Sequence, residues 1–144
     1  MKVMLVNGSP HEHGCTDAAL REVASALNAD GIDTEIFWIG NTPIGGCIAC
    51  GGCSKAGKCV FGGSVNDFAE KAKDADGFVF GTPVYYASAN GTVVSFLDRL
   101  FYSAPYDLTM KVGASVAVAR RGGTSATFDE LNKYFTISGM PVVS

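Results

Sequence analysis

The sequence predicts an α/β protein built on a doubly wound parallel sheet with helices on both faces. Apolar runs of strand length alternate with amphipathic segments of helical spacing along the whole chain. The apolar runs are continuous, as expected for strands that are buried on both faces. A length of 144 residues corresponds to about one domain with a real core. Strict alternation of strands and helices favours right-handed crossovers and a three-layer α/β/α arrangement.

The first strand, first helix and second strand follow one another before position 40. Residues 3–6 are a short continuous apolar run, which predicts a buried strand. Apolar side chains then recur with helical spacing over residues 20–27, and residues 28–31 supply a stop. Residues 34–39 predict the second strand, which Gly40 breaks.

A cysteine-rich loop at residues 45–63 separates the second strand from the second helix. Ser64 and Asp67 form a capping-type Ser-x-x-Asp pattern, which predicts that the helix begins at Ser64. Apolar positions at helical spacing continue this helix to residue 72. The sequence contains no internal repeat and no low-complexity linker, so residues 1–144 are interpreted as one domain that carries this loop.

The second half of the chain continues the same alternation. Apolar runs predict strands over residues 77–81 and 112–119, and a fifth strand begins at residues 140–143. Helical spacing of apolar residues predicts helices over residues 93–102 and 128–135. The sheet is therefore expected to have five strands.

Charge and hydropathy exclude several classes of function. The chain has 11 basic and 14 acidic residues, so no nucleic acid and no anionic membrane is expected as a partner. Its apolar start is too short for a signal-peptide core, and no later run approaches transmembrane length. Five cysteines without a secretion signal indicate a reducing, cytoplasmic environment, in which a disulfide framework is not expected.

Four cysteines lie close together in a glycine-rich stretch: Cys47, Cys50, Cys53 and Cys59. The first three thiols, at successive x2 spacings, can converge on one centre, and the fourth returns after a short excursion. Iron–sulfur clusters are commonly held in this way, whereas zinc ribbons separate two Cys-x2-Cys pairs by a longer span. The spacing leaves three interpretations open, namely an iron–sulfur cluster, a zinc ion and free thiols.

The loop after the first predicted strand, residues 7–16, has the composition of a phosphate site. Ligands of a doubly wound sheet bind outside the carboxyl ends of the strands, where this loop is expected. The loop lacks the glycine-rich dinucleotide fingerprint and the lysine of a P-loop. It offers the hydroxyls of Ser9 and Thr16, a flexible Gly14 and the amides of a helix N-terminus, which suit a phosphate monoester. The alternative is an ordinary connection with Thr16 as the helix N-cap.

The loop after the third predicted strand, residues 82–91, carries two adjacent tyrosines. Pro83 stiffens the exit from the strand, and Tyr85 and Tyr86 can cover a planar ring by stacking. The alternative is that the tyrosines pack at the rim with their hydroxyls in water.

The loop after the fourth predicted strand, residues 119–124, combines charge with flexibility. Gly122 and Gly123 allow the backbone to approach a ligand closely, and Arg120 and Arg121 can place positive charge beside it. The alternative for the arginine pair is a solvated surface.

Together these segments resemble a known family. The first loop, the segment Gly81-Thr82-Pro83-Val84-Tyr85-Tyr86 and the four-cysteine run are similar to the iron–sulfur flavoprotein branch of the NADPH-dependent FMN reductase family. The resemblance covers nearly the whole chain. It implies a flavodoxin-like fold with strand order 2-1-3-4-5, FMN as cofactor, NAD(P)H as substrate and a [4Fe-4S] cluster.

The resemblance also assigns residues to the two cofactors. Ser9, His11, Gly14, Cys15 and Thr16 would surround the FMN phosphate. Pro83, Val84, Tyr85 and Tyr86 would line the flavin, with Ala119, Arg120, Arg121, Gly122 and Gly123 at the far edge of the ring. Cys47, Cys50, Cys53 and Cys59 would carry the cluster.

Three local features differ from the usual pattern of the family. His11 stands where a basic residue is usual, and Cys15 stands where asparagine is usual. Residues 61–64 follow the last cysteine where the family tends to have acidic residues. Cys15 is interpreted either as an oxidation-prone thiol at a helix N-terminus or as an inert small residue.

The expected activity follows from the cofactor. The protein would take hydride from NAD(P)H onto FMN and pass electrons to a flavin, a quinone or an electron-transfer protein. No protein nucleophile or acid–base pair is needed, because the flavin carries the chemistry. Arg120 or Arg121 is expected to stabilise the reduced flavin. The alternatives are a flavodoxin-type carrier that does not react with NAD(P)H, and a structural α/β module without cofactor.

The chain is also expected to form a homodimer or homotetramer, because a monomer of this size leaves one face of the flavin ring exposed. Family members continue beyond the fifth strand. The helix that would cover one face of that strand is therefore expected to lie beyond this chain, or another subunit would cover the apolar face.

Overall fold

The computed structural model describes residues 1–143, which form a layered α/β fold. Strands and helices alternate along most of the chain, as predicted, with a short helix in the cysteine-rich loop and a short hairpin strand as additions. In chain order the elements are β1 (Lys2–Asn7), α1 (Cys15–Ala29), β2 (Asp33–Trp38), α2 (Cys53–Ala56), α3 (Ser64–Ala72), β3 (Gly77–Tyr85), β4 (Ser88–Ala89), α4 (Gly91–Ser103), β5 (Val112–Val118) and α5 (Thr124–Ile137).

The sheet is parallel in its main part. β1 pairs with β2 on one side and β3 on the other, and β3 pairs in parallel with β5. The predicted fifth strand is reduced to a single parallel bridge between Gly113 and Val142. The order β2-β1-β3-β5, followed by that bridge, confirms the predicted 2-1-3-4-5 arrangement, because β5 is the fourth strand of the prediction.

Helices cover both faces of the sheet. On one face, Leu20 of α1 packs with Leu5 and Val79 of the central strands. On the other face, α3, α4 and α5 pack over an aromatic cluster in which the Phe80 and Phe135 rings stack at 5.2 Å between centroids. Among the helices of residues 1–143, none combines the length and the hydropathy needed to cross a bilayer.

The cap of α3 and the start of α5 differ from prediction. α3 begins at Ser64 as predicted, but Ser64 does not cap it, because Gly63, which has no side chain, occupies the N-cap position with a φ of +74°. α5 begins at Thr124 rather than at residue 128, because Thr127 donates both its amide and its hydroxyl to the Gly123 carbonyl. The polar first turn of α5 has no apolar period from which its start can be predicted.

Candidate functional site

Three loops meet at the carboxyl edge of the sheet. The Gly8 amide after β1 donates to the Gly81 carbonyl of β3 at 2.9 Å. A side chain at Gly123, before α5, would place its Cβ 2.6 Å from the Cα of Ala87 in the β3–β4 turn. The loops after β1, β3 and β5 are therefore adjacent, as the sequence predicted for a parallel sheet.

Asn7 holds the loop after β1 in a defined shape. Its side chain is only 1% exposed. The Asn7 amide oxygen accepts the Ser9 N–H at 3.0 Å, and its amide nitrogen donates to the Glu12 carbonyl at 2.9 Å. The Ser9 hydroxyl in turn accepts the His11 N–H at 3.1 Å. Ser9 and His11 thus belong to a preformed turn, and sequence reasoning missed the residue that forms it.

Trp38 supports the same loop from the neighbouring strand. Its indole N–H donates to the Ser9 carbonyl at 2.8 Å from the end of β2. From the sequence, only its position at the carboxyl end of the strand beside β1 indicates that Trp38 lies near this loop.

The N-terminus of α1 is open to an anionic ligand. Gly14 is the N-cap, and no side chain among residues 1–143 caps this end, so the alternative of Thr16 as N-cap is wrong. Thr16 is buried within the first turn, whereas Cys15 is exposed. Unpaired N–H groups at a helix N-terminus suit a phosphate.

Asp17 adds a negative charge to the first turn of α1, and a neighbouring cation balances it. The hydrogen bond from Arg21, at 2.8 Å, holds the pKa of Asp17 below its ordinary value, although burial acts in the opposite direction. His13 lies 3.5 Å from the same carboxylate oxygen. The ionised Asp17 is therefore paired with Arg21 along the helix, which limits its repulsion of an anion at the helix end.

The two tyrosines sit on a tight hairpin that the sequence did not predict. β3 continues to Tyr85 and turns at Tyr86 and Ala87 into the antiparallel β4. Tyr86 and Ala87 have φ angles of +52° and +62°, a left-handed conformation that strains non-glycine residues. Tyr86 is fully exposed and Tyr85 about half exposed, while Pro83 and Val84 are half-buried. The turn thus presents an aromatic side chain outward at the carboxyl edge.

Glu130 fixes this hairpin from α5. One of its carboxylate oxygens accepts the Ser88 hydroxyl and the Ala89 N–H, both at 2.8 Å. Sequence reasoning missed Glu130, because its partners lie about forty residues away along the chain. The hairpin position therefore depends on α5 as well as on β3.

The loop after β5 carries exposed positive charge next to the hairpin. Arg120, Arg121 and Gly122 are exposed, and Ala119 is half-buried. None of the ion pairs formed within residues 1–143 involves either arginine. Both cations are thus available to an anionic group at this edge.

The cysteine-rich loop lies against α4 and encloses a separate cavity of about 250 Å³. Cys59 is buried, Cys53 is half-buried, and Cys47 and Cys50 are exposed. In the conformation of residues 1–143, no three acidic, histidine or cysteine side chains stand in the arrangement that ligates one metal ion. All four cysteines of the loop nevertheless line this one cavity: Cys47, Cys50, Cys53 and Cys59.

Cys59 is the most firmly held of the four cysteines. The side-chain amide of Asn66 accepts the Cys59 N–H at 3.1 Å and donates to its carbonyl at 2.8 Å. The Arg99 Nε–H donates to the Cys59 sulfur at 3.2 Å. Gly52 allows its part of the loop to pack closely against Val60, because a Cβ at position 52 would lie 2.8 Å from Val60 Cγ1.

The wall of the cavity has the chemistry of a site for an anionic metal–thiolate group. The Arg99 guanidinium is buried there, and the Ser103 hydroxyl is buried without a hydrogen-bond partner among residues 1–143. A buried cation is costly without a counter-charge, and a buried hydroxyl is costly without an acceptor. The four thiols and these two donors therefore fit a thiolate-ligated cluster.

Two solved structures show the same fold. An archaeal flavodoxin superimposes with a TM-score of 0.69 over 100% of this chain and 79% of that chain, at 16% sequence identity. An NADH:FMN oxidoreductase in its apo form gives a TM-score of 0.70 over 99% of this chain and 72% of that chain, at 22% identity. The predicted flavodoxin-like fold is confirmed.

Sequence comparison then defines the class of protein as a flavin-dependent oxidoreductase. The family model for NADPH-dependent FMN reductase matches residues 1–144. An iron–sulfur flavoprotein of Methanocaldococcus jannaschii is 35% identical over 99% of this chain and 76% of the relative. The chain belongs to the NADPH-dependent FMN reductase family, which confirms the resemblance found in its sequence.

Proposed function

We propose that this protein oxidises NAD(P)H through bound FMN and passes the electrons on through a [4Fe-4S] cluster. The final acceptor would be a free flavin, a quinone or an electron-transfer protein. One observation supports the proposal most strongly. A single chain of the FMN reductase family has both three adjacent loops at the carboxyl edge of the sheet and a cavity lined by four cysteines.

The FMN phosphate would bind in the turn that Asn7 and Trp38 hold. Ser9, His11, Gly14, Cys15 and Thr16 belong to this turn and to the uncapped start of α1. A phosphate at this position gains hydrogen bonds from backbone amides whose orientation is already fixed. The loop would thus bind the phosphate without rearranging.

The flavin ring would lie over the β3–β4 hairpin. Pro83, Val84, Tyr85 and Tyr86 provide an apolar and aromatic surface, and the strained turn at Tyr86 keeps that ring outward. The segment 119–123 would border the opposite edge of the ring. Offset stacking of aromatic rings contributes roughly 0.5–1.5 kcal/mol beyond area burial.

Bound FMN would supply the redox chemistry, by accepting hydride from a nicotinamide and releasing electrons singly or in pairs. Arg120 and Arg121 would stabilise the negative charge that the ring gains on reduction. Their exposure and the lack of an ion-pair partner within residues 1–143 support this role. No side chain needs to act as nucleophile or as acid–base catalyst.

The four cysteines would hold the cluster, with Cys59 as the most rigid ligand. Among the interpretations of their spacing, an anionic cluster is favoured over free thiols by two groups that line the same cavity: a buried cation and a hydroxyl without a hydrogen-bond partner in the described part of the chain. The relative that is 35% identical is itself an iron–sulfur flavoprotein.

A surface around the cysteine cavity supports self-association as a homodimer or homotetramer. Four large apolar side chains that line the cavity are more than half exposed: Ile48, Val60, Phe61 and Tyr102. Exposed apolar groups that cluster in this way commonly mark interfaces. Light scattering during size-exclusion chromatography should give a mass of two or four chains; a monomer at all concentrations would reject this part of the proposal.

An absorption spectrum recorded under anaerobic conditions tests the central proposal. Protein purified without oxygen should show flavin bands and a broad brown absorbance, with about four iron and four sulfide ions per chain. NADPH or NADH alone should bleach the flavin. A flavin that stays oxidised would instead indicate a flavodoxin-type carrier, and protein that neither contains nor takes up FMN would reject the proposal altogether.

A further inference from the structure

Two polar residues of α4 are among those that line the cavity of the four cysteines. Arg99 and Ser103 are four residues apart, so both lie on the same face of the helix. Their exposed fractions are 8% and 6%. Both line the cysteine cavity, so this face of α4 brings a cation and a hydroxyl to its wall.

Within residues 1–143 the charge of Arg99 has no anionic partner. The guanidinium donates to the Cys59 sulfur at 3.2 Å and to the Gly62 carbonyl at 2.6 Å. The Phe61 ring lies beside it, with 6.0 Å between the guanidinium carbon and the ring centroid. None of the ion pairs within residues 1–143 includes Arg99. Because a buried cation is costly without a counter-charge, the cavity is suited to a negatively charged occupant.

Ser103 presents a second unmet requirement in the same place. Its hydroxyl oxygen is the only buried side-chain polar atom within residues 1–143 that lacks a hydrogen-bond partner. A buried hydroxyl without a hydrogen-bond partner destabilises the fold, because it has given up its hydrogen bonds to water. A sulfur acceptor in the cavity would remove this cost.

We propose that Arg99 and Ser103 are positioning residues that set the reduction potential of the cluster. Arg99 would act through the sulfur of Cys59, and Ser103 would donate its hydroxyl to a thiolate or sulfide sulfur. This inference depends on the cluster of the proposed function. Uptake of one electron adds one negative charge to the thiolate-ligated cluster, and no bond forms or breaks. A buried cation and a hydroxyl donor favour the more negative state, so both raise the potential.

The test is a potentiometric titration of the anaerobically purified protein, followed by electron paramagnetic resonance of the reduced cluster. Arg99→Met removes the charge and keeps much of the side-chain length, and Ser103→Ala removes the hydroxyl. Both variants should have a lower midpoint potential than the unaltered protein. For Arg99→Met we expect about a tenfold lower ratio of reduced to oxidised cluster at a fixed potential, which equals about 59 mV for a one-electron couple.

Two further variants separate charge from structure. Arg99→Lys keeps the cation but loses the planar fork, so its potential should lie between those of the unaltered protein and Arg99→Met. Lys73→Met removes an exposed cation at the C-terminal end of α3, the end away from the cysteine-rich loop, and should leave the potential unchanged. If Arg99→Met fails to fold, Arg99→Lys and Ser103→Ala decide the question.

The outcomes distinguish this inference from the function on which it rests. Unaltered protein without iron and sulfide would refute the proposed cluster, and the inference with it. Full iron and sulfide content with an unchanged potential in Ser103→Ala and in the Arg99 variants would overturn the inference alone. A lowered potential with the cluster content intact would support it.

Discussion

The indole N–H of Trp38 donates to the carbonyl of Ser9 at 2.8 Å, which joins the end of β2 to the loop after β1. Asn7 holds the same loop from its other side through two hydrogen bonds. The proposed phosphate site is therefore already shaped in the protein alone. Preorganisation of this kind reduces the entropy lost when a ligand binds.

Replacement of Trp38 by phenylalanine should weaken FMN binding and preserve the fold. An aromatic ring remains, but the Ser9 carbonyl loses its donor, which costs stability of about 0.5–1.5 kcal/mol. The loop must then be ordered when FMN binds, so Kd should rise by up to about two- to tenfold. Titration of FMN fluorescence with apoprotein measures the change. Thr34→Val, which removes a hydrogen bond to Asn28 from the opposite end of β2, serves as the control and should bind FMN normally. Equal affinity of all three proteins would refute the role of Trp38.

Replacement of Tyr86 by glycine should change stability and affinity in opposite directions. Glycine relieves the left-handed strain and should raise the free energy of unfolding by about 1 kcal/mol. Loss of the ring should weaken FMN binding by about 0.5–1.5 kcal/mol. Met110, at a φ of +65° in another loop, gives the control, because Met110→Gly should stabilise the protein without affecting FMN. Urea unfolding and FMN titration give both quantities, and unaltered affinity in Tyr86→Gly would exclude stacking.

Loss of the Glu130 carboxylate should loosen the hairpin. Glu130→Ala leaves the Ser88 hydroxyl and the Ala89 amide without their acceptor, which should lower the free energy of unfolding by about 1–3 kcal/mol. FMN affinity should fall as well, because the tyrosines lose their fixed position. Asp129→Ala, an exposed neighbour on α5, is the matched control and should change neither quantity. If Glu130→Ala and Asp129→Ala have the same stability and the same FMN affinity, Glu130 does not hold the hairpin.

Removal of positive charge after β5 should lower the flavin potential. Arg120→Ala or Arg121→Ala withdraws a cation from the negative charge of the reduced ring. A tenfold lower ratio of reduced to oxidised flavin corresponds to about 30 mV for the two-electron couple. Spectral titration against a reference dye measures this shift, with Lys133→Ala on α5 as the charge control. Potentials that stay unchanged in both arginine variants would exclude this function for the pair.

Glu35 should make stability depend on pH in a defined direction. Hydrogen bonds from Lys71 and Lys2 hold the pKa of Glu35 below its ordinary value of 4.5. The stabilisation is therefore complete above that ordinary value and disappears as the pH falls through the lowered pKa. Because all three side chains are a third or more exposed, we expect at most about 1 kcal/mol.

Urea unfolding of the unaltered protein and of Glu35→Gln checks this expectation. The difference in the free energy of unfolding should be largest at neutral pH and should shrink toward zero in acid. Glu12→Gln, in which an exposed glutamate outside these ion pairs is replaced, provides the reference. If the difference in the free energy of unfolding grows as the pH falls, the expected direction of the pH dependence is wrong.

Much of the fold is predictable because the strands are buried on both faces. Residues 3–6 and 77–81 are apolar without interruption, so their period alone indicates strands of a parallel sheet. The hairpin after Tyr85 is not predictable in this way, because Tyr86 and Ala87 occupy positions that normally carry glycine or asparagine. Here tertiary contacts, including those of Glu130, override the local preference of the turn.

The candidate site is predictable at the level of loops and not at the level of supporting contacts. The four cysteines line one cavity, although within residues 1–143 no three of them stand in a metal-ligating arrangement, so their convergence on one centre stays a prediction. The partners of Ser9 and Ser88 are Trp38 and Glu130, which lie on other elements of the fold. The hydrophobic pattern of one sequence does not indicate such pairs, because hydrogen bonds between elements depend on how those elements pack.

Helix α4 begins beside the hairpin and carries Arg99 and Ser103 toward its other end. Arg99 lies nine positions after Asn90, the N-cap, which corresponds to about 14 Å along the helix axis. This rigid element therefore sets the spacing between the two proposed redox centres. Insertion of one residue within α4 would turn its far end by about 100° and direct both donors away from the cysteines, while the hairpin kept its place.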